Sequence, residues 1–143
     1  MTVPNRISII TLGVADLAAS TAFYESLGWK RANALPSISL FQMSGVVFGL
    51  YQWDALADDA KVSADGSGFR GVTLAMNFAS TDEVDAVYAE WLAAGATSMV
   101  EPHTAFWGGY SSYVADLDGH LWEIAHAPGT TFDEAGRLVM GGG

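Results

Sequence analysis

The segment Gly108–Pro128, which reads GGYSSYVADLDGHLWEIAHAP, constrains the fold more than any other part of this chain of 143 residues. The tetrapeptide Asp116–Gly119 is typical of a tight turn. It separates two apolar, aromatic runs, so the segment predicts a β-hairpin. The second strand carries one carboxylate, Glu123, between Trp122 and Ile124. A charged residue in such a strand is expected on a solvated face or where it has a chemical task.

Length and composition narrow the class of protein. We expect residues 1–143 to form a single domain, which this length supports with a sizeable core. No apolar run approaches the ~18 residues that span a bilayer, and no signal peptide is evident, so a cytoplasmic protein is expected. The net charge of −10 disfavours nucleic acid and anionic membranes as partners. The absence of cysteine excludes disulfides and thiolate chemistry.

One order of elements is predicted twice along the chain, which favours an α+β fold of two β-α-β-β-β modules. The first module spans about residues 6–53, with strands at 6–14, 29–34, 37–43 and 46–53 and a helix at 17–27. The second spans about residues 70–127, with strands at 70–78 and 97–101, a helix that begins after Ser80 or Thr81, and the final hairpin. The polar stretch 54–68 between them is predicted to be a linker.

Three segments carry a resemblance to a known family. They read LGVADLAASTAFYESLGW at Leu12–Trp29, VDAVYAEWLAAGA at Val84–Ala96 and ADLDGHLWEIAH at Ala115–His126. In these segments the chain resembles the vicinal oxygen chelate superfamily, which holds glyoxalase I, extradiol dioxygenases and bleomycin-resistance proteins. The last segment is similar to the family's closing D-P-D-G-x-x-x-E signature, with Leu117 where proline is usual.

The resemblance implies a homodimer and a curved mixed sheet, with helices on the convex face and a cavity on the concave face. In metal-dependent members, four positions on the concave face hold a divalent ion. Carried onto this chain, they fall on Ile9, Gly49, Thr73 (or Val72) and Glu123. One carboxylate is too few for a Zn²⁺, Ni²⁺ or Fe²⁺ site. We therefore expect no metal and no cofactor, and neither glyoxalase I nor extradiol dioxygenase activity.

Strand alternation assigns the faces independently. Pairing across the Asp116–Gly119 turn predicts Tyr110, Ser112 and Val114 beside Glu123. The predicted core face comprises Ile10, Leu12, Val14, Leu74, Met76, Phe78, Tyr113, Trp122, Ile124 and His126. The predicted cavity face comprises Ile9, Thr11, Val47, Gly49, Tyr51, Thr73, Ala75, Asn77, Tyr110, Ser112 and Glu123. Such a wall is largely neutral and suits a small apolar or aromatic molecule held by a few polar contacts.

The candidate ligand contacts are Thr11, Tyr51, Thr73, Asn77, Trp107, Tyr110, Ser112 and Glu123. Glu123 is also the candidate catalytic residue, as a general base. The same carboxylate is compatible with a ligand contact or a structural hydrogen bond. Phe106 and Trp107 are candidates for closing over a planar ligand, or for packing in a dimer. His103, in the loop before Trp107, is the histidine best placed for a cavity role.

Three functions stay open at this point. The first is a homodimeric binding protein without a metal site, which takes up a small apolar or aromatic molecule. The second is a metal-independent isomerase or lyase with Glu123 as base and His103 or Tyr110 as proton donor. The third is an interaction module that binds no small molecule. The sequence does not decide whether a reaction is catalysed.

Overall fold

The computed structural model describes residues 3–140. The chain divides into two compact units, Met1–Asp65 and Gly66–Gly143, called here the first and second units. Both combine helices with sheet, which confirms the predicted α+β class. Within the described residues, no helix is both long enough and apolar enough to cross a bilayer.

The first unit contains three strands and two helices. In chain order they are β1 (Ile9–Val14), α1 (Leu17–Glu25), β2 (Ile38–Gln42), β3 (Val47–Gln52) and α2 (Trp53–Asp59). The strand order is β1-β3-β2, with β1 parallel and β2 antiparallel to β3. Helix α1 begins after Asp16, whose carboxylate accepts a hydrogen bond from the Ala19 amide.

An aromatic cluster fills the space between α1 and the sheet of the first unit. The ring of Tyr24 stacks on Trp29 at 5.5 Å and meets Phe48 edge-on at 4.9 Å. Leu12 and Val14 are buried on the face of the sheet that packs against this cluster, which confirms their predicted place in the core. The opposite face of the same strands carries Thr11 and Gly49. The sequence therefore assigned the two faces of β1 correctly.

The second unit holds the complete β-α-β-β-β order. Its elements are β4 (Thr73–Asn77), α3 (Thr81–Ala93), β5 (Thr97–Thr104), β6 (Tyr110–Ala115), β7 (Leu121–His126), β8 (Thr131–Phe132) and β9 (Leu138–Val139). The main sheet has the order β4-β7-β6-β5, and β8 pairs with β9. Helix α3 begins after Ser80, whose hydroxyl accepts from the Glu83 amide. It packs on β6 and β7, where the rings of Trp91 and Trp122 lie 5.0 Å apart.

Two expectations for the first unit were wrong. The predicted strand 29–34 is reduced to a single bridge, Arg31 to Phe41. There the Asn33 side chain bonds both the Leu40 amide and the Ile38 carbonyl, so a side chain replaces the backbone ladder. The predicted linker 54–68 contains most of helix α2, in which Ala55, Leu56 and Ala57 are good helix formers.

Candidate functional site

The turn of the β6–β7 hairpin determines which side chains surround Glu123. The Asp116 amide donates to the His120 carbonyl at 3.0 Å, so these two residues pair and three residues form the loop between them. Oδ1 of Asp116 accepts from the amides of Asp118 and His120, and Gly119 has φ +85°. Such a loop holds one residue more than a two-residue turn and places glycine in the left-handed region.

That extra residue reverses the predicted faces of β6. Tyr113 lies directly opposite Glu123, and Ser112 lies opposite Ile124. A one-residue change of register moves every side chain of a strand to the other face. The expectation that Tyr110 and Ser112 lie beside Glu123, with Tyr113 in the core, was therefore wrong.

Tyr110 and Ser112 both lie on the face of the sheet that packs against α3. The Tyr110 hydroxyl donates to Oδ1 of Asp85 on α3 at 2.8 Å, and this bond is the main cause that raises its pKa above the usual value. The Ser112 hydroxyl is fully buried and donates to the Ile124 carbonyl at 3.0 Å. Both hydroxyls therefore have structural partners on the face that packs against α3.

Ser111 is the direct partner of Glu123, and no pattern of residues along the chain pointed to it. Its hydroxyl donates to Oε2 of Glu123 at 2.7 Å, and Ser111 is only 4% exposed. Glu123 itself is half-buried. A charge-assisted hydrogen bond from a buried hydroxyl fixes the orientation of the carboxylate.

Strand register places a set of mostly small or uncharged residues on the same face as Glu123. In β4, Ala75 lies beside Glu123, with Thr73 and Asn77 one step away on each side, as predicted. We call this surface of the second unit the Glu123 face. It comprises Thr73, Ala75, Asn77, Val100, His103, Ser111, Tyr113, Ala115, Leu121, Glu123 and Ala125.

Tyr113 supplies a phenol next to the carboxylate. Burial raises the pKa of Tyr113 above its usual value, and the negative charge of Glu123 raises it further, while the Thr73 hydroxyl acts in the opposite direction. A raised pKa keeps the phenol protonated at neutral pH. Glu123 and Tyr113 thus place an acceptor and a donor side by side.

His103 and the aromatic loop lie at the β5–β6 end of the second unit. His103 pairs with Ser111, and its Nδ1 lies 3.0 Å from the Glu101 carbonyl. Since a carbonyl only accepts, Nδ1 carries the hydrogen, and Nε2 of a neutral ring is an acceptor. In the loop, Phe106 is fully exposed, whereas the Trp107 ring lies over Gly109.

The four positions that the resemblance assigned to a metal do not form a ligand set. Ile9 and Gly49 have no donor atom, and Thr73 has only a hydroxyl. A Cβ added at Gly49 would lie 3.2 Å from side-chain atoms of both Leu40 and Thr11, so there is little room for a larger residue. Among residues 3–140, no group of three or more histidines or carboxylates could hold a metal ion. The donor chemistry of these residues does not fit the metal of the metal-dependent enzymes.

The remaining predicted contacts, Thr11 and Tyr51, lie in the first unit. Thr11 pairs with Gly49, and Tyr51 pairs with Gly13 and with Ile38, so both lie on the sheet face opposite α1. Tyr51 also lines an open cleft of about 740 Å³ at the end of this unit.

The chain is similar to a known protein family and to several solved structures. Residues 6–124 match the family model described as the Glyoxalase/Bleomycin resistance protein/Dioxygenase superfamily. A solved glyoxalase-related enzyme from Fulvimarina pelagi is 33% identical, with 96% of this chain and 99% of that chain covered and a TM-score of 0.85. No curated protein matches the chain.

Two further solved structures are similar at lower identity. A glyoxalase/bleomycin resistance protein/dioxygenase from Nocardioides is 25% identical, with 88% and 85% of the two chains covered and a TM-score of 0.73. A glyoxalase/bleomycin resistance protein from Albidiferax ferrireducens T118 is 26% identical, with 85% and 98% covered and a TM-score of 0.63.

Proposed function

This chain belongs to the glyoxalase/bleomycin resistance protein/dioxygenase superfamily, and from that premise we propose that it binds a small, largely apolar or aromatic molecule without a metal ion. The observation that carries the proposal is the hydrogen bond from Ser111 to Glu123. Glu123 is the one carboxylate among the four positions expected to hold a metal, and the Ser111 hydroxyl holds it in place. Glu123 then acts toward the ligand as a hydrogen-bond acceptor or as a counter-ion.

The composition of the Glu123 face supports an apolar ligand. Apart from Glu123 and His103, its side chains carry no ionisable group other than the Tyr113 phenol, and alanines leave space beside the carboxylate. A few polar groups on an apolar surface orient a ligand, while its apolar body supplies most of the binding free energy. The proposed ligand contacts on the second unit are Thr73, Asn77, Trp107, Ser111, Tyr113 and Glu123. Thr11 and Tyr51 belong to the first unit and are left out of this set. Ser111 and Tyr113 replace Ser112 and Tyr110, which bond to the helix side.

A second function is favoured by the position of Tyr113. A carboxylate and a protonated phenol side by side are suited to general base and general acid roles. In a metal-independent isomerase or lyase, Glu123 would take a proton from the substrate while Tyr113 donates one. His103, which the register places beside Ser111, is the alternative donor when both ring nitrogens carry a proton, because Nδ1–H already bonds to the Glu101 carbonyl. Tyr110 is not, since its hydroxyl bonds to Asp85.

We also make a proposal for the oligomeric state of the protein and for its location in the cell. We propose a cytoplasmic homodimer, supported by the absence of cysteine and by the exposed apolar side chains of both units, among them Ile9, Val72 and Phe106. Sedimentation equilibrium measures the dimer directly. A single species of monomer mass at micromolar concentration would contradict this part of the proposal.

The function is tested by a thermal-shift screen of aromatic and cationic small molecules, followed by calorimetric titration of each hit. Glu123→Gln preserves the shape of the side chain and removes the charge. Glu90→Gln makes the same change at an exposed position of α3 and serves as the control. For a binding protein, we expect affinity at least about tenfold weaker in Glu123→Gln, since hydrogen bonds to charged groups are the strong ones. The control should bind as the wild type does.

Turnover of an identified ligand separates the two functions. If a product forms, Glu123→Gln should abolish its formation when Glu123 is the base. Full turnover by Glu123→Gln would end the enzyme proposal. Hits that bind Glu123→Gln and wild type equally would contradict the binding proposal.

A further inference from the structure

The first unit has a cleft of about 740 Å³ that the proposed function does not use. It lies where α1 begins and β3 passes into α2. The residues that matter for its chemistry are Asp16, Arg31, Ser37, Tyr51, Gln52 and Ala55. Its volume falls within the range of small-molecule sites. All residues that line it belong to the first unit.

Arg31 is the only cationic residue of the cleft wall, and its side chain is held in place. Nε donates to Oδ1 of Asn33 at 3.2 Å, and Nη2 donates to the carbonyls of Ile38, at 2.7 Å, and Leu35. These acceptors are neutral. Within residues 3–140, no carboxylate forms an ion pair with Arg31. The chain therefore keeps a half-buried, oriented cation in a cleft with no carboxylate in direct contact with it, although its net charge is −10.

We propose that this cleft binds a small monocarboxylate with an apolar body, whose carboxylate pairs with Arg31. Because Nε and Nη2 already donate to the chain, Nη1 is the group that is left to donate to the ligand carboxylate, and its fixed orientation limits the entropy lost on binding. Oε1 of Gln52 already accepts from the Leu17 amide, so its NH₂ group remains as a donor. The hydroxyls of Ser37 and Tyr51 are further donors in the wall.

The other residues of the cleft restrict the class of anion. Asp16 contributes a negative charge to the same wall, which disfavours phosphate and dicarboxylates by repulsion. Leu17, Pro36 and Ala55 provide apolar surface for the body of the ligand. The cleft wall combines one cation, one anion and apolar surface. A ligand with a single carboxylate on an apolar body fits this wall.

Benzoate and benzamide are the matched probes, because they share the ring and differ in charge. Each is titrated into ¹⁵N-labelled protein, and the amide shifts of Ser37, Gln52 and Ala55 are followed. We expect saturable shifts at these positions, with benzoate bound at least about tenfold more tightly than benzamide. Equal binding of the two probes, no saturable shift with benzoate, or tighter binding of inorganic phosphate would overturn the proposal.

Two variants keep the test independent of folding. Arg31→Gln should weaken benzoate binding at least about tenfold and leave benzamide binding unchanged. Lys30→Gln makes the same charge change at the neighbouring exposed residue and should have no effect. Because Arg31 also holds backbone carbonyls, its loss could unfold the unit. Ala55→Trp therefore provides a second variant, which fills the cleft while Arg31 itself is not substituted. Benzoate binding that survives in a folded Ala55→Trp protein would refute the assignment.

Discussion

The hydroxyl of Ser111 donates a 2.7 Å hydrogen bond to Oε2 of Glu123, across the two strands of the final hairpin. Ser111 is buried, and Glu123 is half-buried on a face with no other carboxylate. In metal-dependent relatives a carboxylate in this position would bind the ion, whereas here a protein hydroxyl holds it. This pair is the centre of the proposed binding site.

Ser111→Ala should remove that bond and leave the carboxylate partly desolvated. We expect a loss of about 2 kcal/mol in the free energy of unfolding, the usual contribution of a hydrogen bond to a charged group. Denaturant unfolding followed by circular dichroism measures it. Ser67→Ala, at an exposed loop position, is the control and should change stability little. Equal stabilities of the two variants would show that the bond contributes nothing.

Glu123→Gln should lower the pKa of Tyr113, because the charge of Glu123 is one of the causes that raise it. A phenol whose pKa is raised by folding stabilises the folded state at lower pH. That contribution is lost as pH rises above the unfolded value of about 10. The variant should therefore lose less stability than wild type in this alkaline range. Titration of the Tyr113 ring resonances checks the shift. An unchanged or higher pKa in the variant would contradict the geometry.

Gly109→Ala should displace the Trp107 ring. An added Cβ would lie 1.7 Å from Cζ3 of that ring, and Gly109 does not require the left-handed region, so the conflict is steric. The Nε1–H resonance of Trp107 should shift, and the hairpin should be destabilised. In a Trp107→Ala background the same glycine substitution should cost little. Equal costs in both backgrounds would mean that the ring does not lie over Gly109.

The sequence predicts which residues of β1, β4 and β7 share a face of the sheet. In these strands the alternation of side chains between the two faces reflects burial alone. Leu12 and Val14 are buried while Thr11 faces the other way, and Thr73, Ala75 and Asn77 share a face with Glu123, as the pattern predicts. These strands contain no bulge, so a period of two holds over their whole length.

The faces of β6 could not be predicted in the same way, since they depend on the number of residues in one loop. Asp116–Gly119 is compatible with a two-residue turn or a three-residue loop, and the two place opposite faces of β6 beside Glu123. The carboxylate of Asp116 and the left-handed Gly119 stabilise the longer loop. Likewise, the Asn33 side chain that replaces backbone pairing leaves no trace in hydrophobic periodicity.

The β8–β9 hairpin should loosen in acid. The Arg137 amide, followed by its guanidinium, holds the pKa of Asp133 below its usual value. A lowered pKa stabilises the folded hairpin above the unfolded value, and this contribution is lost as pH falls through the folded value. Amide exchange of Thr131 and Val139 should therefore show lower protection below about pH 4, after correction for intrinsic rates. Asp133→Asn should show that lower protection already at neutral pH. Protection that is independent of pH in the wild type would contradict this role.

The metal content of the protein tests the central claim most directly. The protein is purified without chelator, incubated separately with Zn²⁺, Ni²⁺, Fe²⁺ and Mn²⁺, desalted, and measured by elemental analysis. Because three of the four expected metal positions, Ile9, Gly49 and Thr73, carry no adequate ligand, we expect no stoichiometric metal in any sample. About one ion per chain, lost in Glu123→Gln but retained in Glu90→Gln, would contradict the account and return metal-dependent chemistry to this site.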